Sequence, residues 1–249
     1  MDSLSSILIL FFVGVAAGFI NVNAGGGSTL TLPTLIFLGL DASIANGTNR
    51  VAIFLQNGSA IYSFRRENYS EFGLSLKMSL FTIPGAVLGA IISTKLSNET
   101  FEFILGIVMI LIILTMLIPN KKKNGYEKGN EKVDFKSALA LIGIGLYGGF
   151  IQVGVGFIVM ASLKYLMKMN LIYVNMHKVF IILFYTFPAI LIFLLTDNIN
   201  WYYGLTLAAG MATGAWWAAK FAVKKGEKLI KIVLMVAVFI MSLKLLGLF

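Results

Sequence analysis

Two uncharged apolar stretches open corresponding halves of this chain, and each is broken by glycine and amide residues where a straight membrane helix would carry neither. The first reads Gly18-Phe19-Ile20-Asn21-Val22-Asn23-Ala24-Gly25-Gly26-Gly27, and the second Gly149-Phe150-Ile151-Gln152-Val153-Gly154-Val155-Gly156. Residues 3–40 carry no charge. As one helix they would extend about 57 Å, nearly twice the roughly 30 Å of bilayer hydrocarbon. They must therefore fold back on themselves, which predicts two short helices meeting at a polar turn over residues 21–29. Residues 137–163 predict the same arrangement around residues 152–156.

Composition sets the solvent. The 249 residues are 58% hydrophobic and 12% charged, against roughly 25% charged in a soluble domain. This is an integral membrane protein with little left for a soluble domain. All eleven acidic residues lie in or beside the gaps between apolar runs, and the net charge of +9 is loop charge that sets orientation, not nucleic-acid affinity. Cysteine is absent, so disulfides, thiol catalysis and thiolate metal sites drop out. The amino terminus has no basic region and no small-residue cleavage site, so its apolar run reads as a retained membrane segment.

Single spans follow each hairpin: about 46–64, 74–94 and 101–119 in the first half, and about 174–196, 200–219 and 229–248 in the second. Lys and Arg concentrate at Arg65-Arg66, at Lys121 to Lys136, at Lys164 and Lys168, and at Lys220, Lys224, Lys225 and Lys228. Placing all four groups in the cytoplasm requires residues 3–40 to enter and leave outside, and residues 137–168 to enter and leave inside. The expectation is an all-α integral membrane protein with an inverted-topology internal repeat, each half a broken helical hairpin plus three transmembrane helices. Residues 1–119 form the first membrane repeat, 120–136 a cytoplasmic linker and 137–249 the second membrane repeat. Both termini lie outside the cell membrane.

The breaks carry the candidate chemistry. Gly25, Gly26, Gly27 and Ser28, followed by Pro33, let backbone approach a ligand, and broken helix ends offer N–H groups and a positive dipole end to an anion; close helix packing is the bland alternative. Asn21, Asn23 and Gln152 supply amides that either cap helix ends or contact substrate, and Gly156 marks the second turn. The next spans repeat as well: Ala45-Asn46-Gly47-Thr48-Asn49 aligns with Val174-Asn175-Met176-His177-Lys178, and the register holds to Ala60 against Ala189. Lys178 and Arg50 are cations aimed at the breaks or, alternatively, side chains snorkelling to the interface. His177, the single histidine, is either structural or a proton carrier. Gln56 and Asn57 either line a pathway or satisfy each other. Gly85 with Gly89, and Gly210 with Gly214, read as helix-packing seams.

The Gly-rich first hairpin with Pro33, the segment Ala45-x-Gly47-Thr48-Asn49, the Tyr62 to Arg66 turn and the small-residue third span resemble the sulfite exporter TauE/SafE family over nearly the whole chain. The resemblance implies a transporter of sulfur-containing and organic anions such as sulfite, sulfoacetate and related sulfonates. It places the substrate site at the hairpin turns with Thr48-Asn49 and His177-Lys178. The second copy departs from the family pattern, with Met176-His177 where a Gly-Thr-like pair is usual.

The resulting expectation is a secondary transporter of small anions working by alternating access, one repeat rocking against the other, with an anion channel as the alternative. Substrate-binding candidates are Asn21, Asn23, Gly25, Gly26, Gly27, Ser28, Thr48, Asn49, Gln152, Gly156, Asn175, His177 and Lys178. No catalytic set, metal site or cofactor is expected. The expected partners are a small anionic substrate and the lipid bilayer, without nucleic acid; a homodimer is left open.

Overall fold

The computed structural model describes residues 3–117, 133–220 and 227–248. Most of the expected linker, and the basic residues Lys224 and Lys225, lie outside the described residues, as do the side chains of Asn23, Lys220 and Lys228. The described residues form ten helices and no strand: α1 (Ser3–Ala24), α2 (Ser28–Phe37), α3 (Ala42–Arg66), α4 (Phe72–Ser93), α5 (Asn98–Leu117), α6 (Phe135–Phe150), α7 (Val155–Tyr165), α8 (Leu171–Leu195), α9 (Trp201–Lys220) and α10 (Glu227–Leu245). Each expected hairpin is present as a long helix, a break and a short helix.

Both breaks are tighter than expected. α1 remains helical through Asn21 and ends at Ala24, so only residues 25–27 interrupt it. Gly25 adopts φ +81 there and donates its N–H to the Asn21 carbonyl at 2.9 Å, a left-handed helix stop that glycine takes without strain. The second break spans residues 151–154 between α6 and α7, with Gln152 at φ +66 and Gly154 at φ +71. Pro33 lies inside α2, not at its start.

Leu4–Val22, Phe72–Ser93, Asn98–Thr115 and Leu171–Leu195 are long and apolar enough to cross a membrane. Leu8, Phe12, Leu80, Leu88, Phe103, Leu111 and Leu191 on these helices are exposed, as lipid-facing side chains are. α3 is long enough at 25 residues but carries a polar face, buried against other helices, that includes Asn46, Asn49, Arg50, Gln56 and Asn57.

The helices do not pack in sequence order. α1 lies chiefly along α9 and α4 along α6; α3 runs beside α9 and α8, α8 beside α4 and α3, and α5 pairs with α10. Exchanging the halves, α1 for α6 through α5 for α10, leaves these main pairings unchanged. Two glycine seams set the closest ones. A Cβ on Gly18 would strike the Met211 carbonyl oxygen, and one on Gly210 or Gly214 would strike that of Phe11 or Val15. Likewise Gly85 and Gly89 leave room for the carbonyls of Ile142 and Leu146, and Gly145 and Gly149 for those of Thr82 and Ala86. The expected seams therefore join opposite halves, backbone against backbone.

Candidate functional site

The two hairpin breaks meet. A Cβ built on Gly25 would lie 2.7 Å from the carbonyl carbon of Gly156, and one on Gly156 would lie 2.5 Å from the Gly25 Cα. Ser28 Oγ donates across the junction to the Gln152 carbonyl at 3.3 Å. Residues 131 positions apart, Gly25 with Gly156 and Asn21 with Gln152, are thereby gathered at one crossing.

Asn21 organises the first break. Its Oδ1 accepts from the Gly27 N–H at 3.4 Å, and its Nδ2 donates to Gln56 Oε1 at 2.8 Å. Thr29 Oγ1 closes the turn on the Gly26 carbonyl at 2.6 Å. Gln152 organises the second break: its Oε1 accepts from Arg50 at 2.8 Å and its Nε2 donates to Thr186 Oγ1 at 3.3 Å. Those two bonds hold a non-glycine residue at positive φ, which costs of order 1 kcal/mol or more where nothing compensates. Tyr147 Oη adds a bond to the Val153 carbonyl at 2.5 Å.

Two buried cations bind the helix ends at these breaks. Lys178 Nζ donates to the carbonyls of Asn21 and Val22, each at 3.1 Å, and to Asn175 Oδ1 at 2.9 Å. Arg50 donates to the carbonyls of Gly148 at 2.9 Å and Gly149 at 2.5 Å, besides Gln152, and stacks over the Phe193 ring with its centroid at 4.9 Å. Each cation reaches from one half to the C-terminal end of the first helix of the other half, where unsatisfied carbonyls and the negative dipole end favour positive charge. Each is backed by an Asn one turn earlier, Asn46 for Arg50 at 3.4 Å and Asn175 for Lys178. Arg50 is 0% and Lys178 1% exposed, so snorkelling is ruled out. Among the described residues neither has a carboxylate partner.

Of the other expected residues, Asn49 is buried and its Oδ1 pairs with Thr31 Oγ1 at 2.6 Å. Thr48 and His177 turn away from the breaks. Thr48 Oγ1 accepts from the Asn200 N–H, just before α9, at 2.9 Å, and His177 Nδ1 pairs with Ser75 Oγ near the start of α4 at 2.7 Å. These equivalent positions fasten α3 to α9 and α8 to α4. Gln56 and Asn57 do not satisfy each other: Gln56 serves Asn21, and Asn57 Nδ2 donates to the Ile53 carbonyl at 2.8 Å.

The sequence marks Arg50 as a cation aimed at the breaks or a side chain snorkelling to the interface, and the expected binding set does not include it. α3 begins at Ala42, which puts Arg50 two turns inside. Tyr185 gave no sequence signal beyond its register match with Gln56. Among the described residues no group of three or more His, Cys, Asp or Glu is placed to hold a metal ion.

The family model for sulfite exporter TauE/SafE matches residues 10–245. The chain is 29% identical to the probable membrane transporter protein ORF9 of Sinorhizobium, over 97% of this chain and 92% of the relative. It is 29% identical to the probable membrane transporter protein YfcA of Escherichia coli K12, over 96% and 88%, and 23% identical to YunE of Bacillus subtilis, over 90% of each. No solved structure matches.

Proposed function

The chain belongs to the sulfite exporter TauE/SafE family, and from that premise we propose that this multi-pass membrane transporter carries small anions, sulfur-containing or organic ones such as sulfite and sulfonates, by alternating access. The observation that carries the reading is the pair of buried cations, Arg50 and Lys178, at two touching helix breaks. Burying a cation without a counter-ion costs several kcal/mol, only partly offset by neutral carbonyls. An anion entering the crossing supplies the missing charge. The backbone contact between Gly25 and Gly156 closes the crossing, which favours a carrier over a channel.

The two halves are proposed to be related by an axis in the membrane plane, with 1–119 and 137–249 as repeats, 120–136 cytoplasmic and both termini outside. The packing alters the expected motion. One sequence half rocking against the other would tear both glycine seams, whereas α1 with α9 and α3 can move as one body against α4, α6 and α8, sliding along the α3–α8 contact. Such inverted-repeat carriers move bundles around a fixed midplane site.

Purified protein in liposomes tests the reading. Anion uptake that saturates with sulfite, thiosulfate, methanesulfonate or acetate is the expected result, with thermal stabilisation by the transported anion. Non-saturating current would instead indicate a channel, and no anion response would overturn the proposal. Labelling of a cysteine placed in 120–136 by an impermeant reagent added outside the cell would overturn the orientation.

A further inference from the structure

The buried hydrogen-bonding groups around the crossing are unevenly satisfied. Gln56 Nε2, Arg50 Nε, Asn49 Nδ2 and the Tyr185 hydroxyl are buried without a partner. Leaving a buried polar group unsatisfied is costly, so each such group asks for an explanation. The orientation of Gln56 is fixed by a chain of bonds that starts at backbone. Gly27 N–H must donate, so Asn21 presents Oδ1 to it; Asn21 Nδ2 then takes Gln56 Oε1, and only the N–H donors of Gln56 remain. The Arg50 Nε carries only a proton to give. One carbonyl acceptor, Asn57 Oδ1, is also unpartnered, but the set around it is rich in donors. That is the arrangement for an acceptor-rich ligand, not for a metal cation.

The repeat gives these groups a geometry. In the register that matches Asn46 with Asn175 and Ala60 with Ala189, Gln56 corresponds to Tyr185. The two lie on α3 and α8, which pack against each other, and both are 0% exposed. Gln56 sits on Asn21 at the first break. Tyr185 sits at the second: a Cβ on Gly148 would lie 2.7 Å from its hydroxyl, and the Gly148 carbonyl is held by Arg50. The unpartnered donors thus sit against Asn21 on α1 and Gly148 on α6, the helices that lead into the two breaks, one in each half.

We infer that Gln56 and Tyr185 are the repeat-equivalent pair of substrate-binding donors, taking the oxygens of a small oxyanion from opposite sides of the crossing. Lys178 cannot fill this role in the same conformation, because its three N–H groups already serve Asn21, Val22 and Asn175. The inference rests on the anion-transport reading and names the side chains that would contact the ion.

The test compares full-length wild type with Tyr185→Phe and Gln56→Glu, measuring thermal stability alone and with sulfite, thiosulfate, methanesulfonate and acetate. Gln56→Glu keeps the oxygen that Asn21 needs and removes the free N–H. For whichever anion stabilises wild type, Tyr185→Phe is expected to weaken the apparent affinity about tenfold while matching or exceeding wild-type stability without anion, since the hydroxyl it removes bonds to nothing. Gln56→Glu is expected to abolish the anion response. If wild type responds and both variants respond equally well, this inference fails and the transport reading stands. If Tyr185→Phe unfolds or loses stability without anion, the hydroxyl has a structural partner and the inference fails. If wild type responds to no anion, both fall.

Discussion

Gly156 rests on Gly25 so closely that a Cβ on it would strike the Gly25 carbonyl oxygen. The contact joins the first residue past α1 to the first turn of α7, so the two interrupted hairpins lock at one point. Everything else at the crossing is arranged about it: Asn21 and Gln152 shape the turns, and Lys178 and Arg50 hold the helix ends that lead into them.

Alanine at Gly25 or Gly156 should therefore disrupt both packing and transport. Gly25→Ala also forces a side chain into φ +81, which costs on the order of 1 kcal/mol before any clash. Both variants are expected to lower the thermal midpoint by several degrees and to reduce anion uptake at least tenfold. Gly143, with nothing within 4 Å of its Cβ position, is the control: Gly143→Ala should be neutral or stabilising by up to about 1 kcal/mol, as glycine-to-alanine changes in helices are.

The cations should behave as structural pins as well as charge. Lys178→Met leaves the Val22 carbonyl and Asn175 Oδ1 without their donor, at roughly 1–3 kcal/mol for each unsatisfied buried group. Its thermal midpoint should fall even without anion, and anion response should weaken, whereas Lys168→Ala, on an exposed side chain, should change neither measurably. Arg50→Lys should not rescue: a single ammonium cannot span Gly148, Gly149 and Gln152 as the guanidinium fork does. Wild-type stability in Arg50→Lys would count against the pinning role.

The hairpins, the six single helices and the glycine seams were legible because length, charge placement and small-residue spacing act locally along a chain. The partners of those seams were not. Nothing in Gly85-x-x-x-Gly89 specifies that it meets α6, since glycine spacing reports a close approach without naming the other helix. The candidate site was half legible for the same reason. Amides and glycines at the breaks announced Asn21, Gly25, Gln152 and Gly156, but adjacent residues on a helix point about 100° apart. Thr48 and His177 consequently face α9 and α4, while their neighbours Asn49 and Lys178 face inward. Tyr185 was hidden because a tyrosine in an apolar span reads as packing until its hydroxyl is seen to lack a partner.

Outside the membrane, Asp134 caps α6, its carboxylate accepting from the Ser137 N–H at 2.9 Å. The side-chain and backbone hydrogen bonds of Ser137 hold its carboxyl below the usual 3.8. A depressed pKa in the folded state contributes stability that is present above 3.8 and is lost as pH falls through the folded value. Asp134→Ala should accordingly be less stable than wild type at neutral pH, and the difference should shrink as pH drops below 3.8. Asp134→Asn should keep the cap, as asparagine is an equally good N-cap, with a flatter pH dependence. A pH-independent gap between wild type and Asp134→Ala in thermal melts would refute the capping role.

Coupling is the remaining question, and it turns on His177. None of the described carboxylates is buried: Asp41 is exposed and bonded to Asn98 at 2.9 Å, and Asp197 is exposed on its turn. The acidic relays that many pumps place inside the membrane therefore have no counterpart among the described residues. His177 is buried at 1% exposure, holds Ser75 on α4 and sits beside the Tyr173 ring. We expect transport to be driven by the anion gradient and membrane potential, or to be proton-linked through His177, which feels the charge of Glu71 at the start of α4. In liposomes with an imposed pH gradient, His177→Gln, which can still bond Ser75, should remove any proton-dependent component and leave facilitated anion flux within a few-fold of wild type. Continued proton-driven accumulation in that variant would show that an exposed carboxylate such as Asp41 or Asp197 enters the pathway in another conformation, and would overturn the assignment. Loss of all flux in spite of the retained Ser75 bond would instead show that the imidazole ring itself is needed to hold α8 on α4.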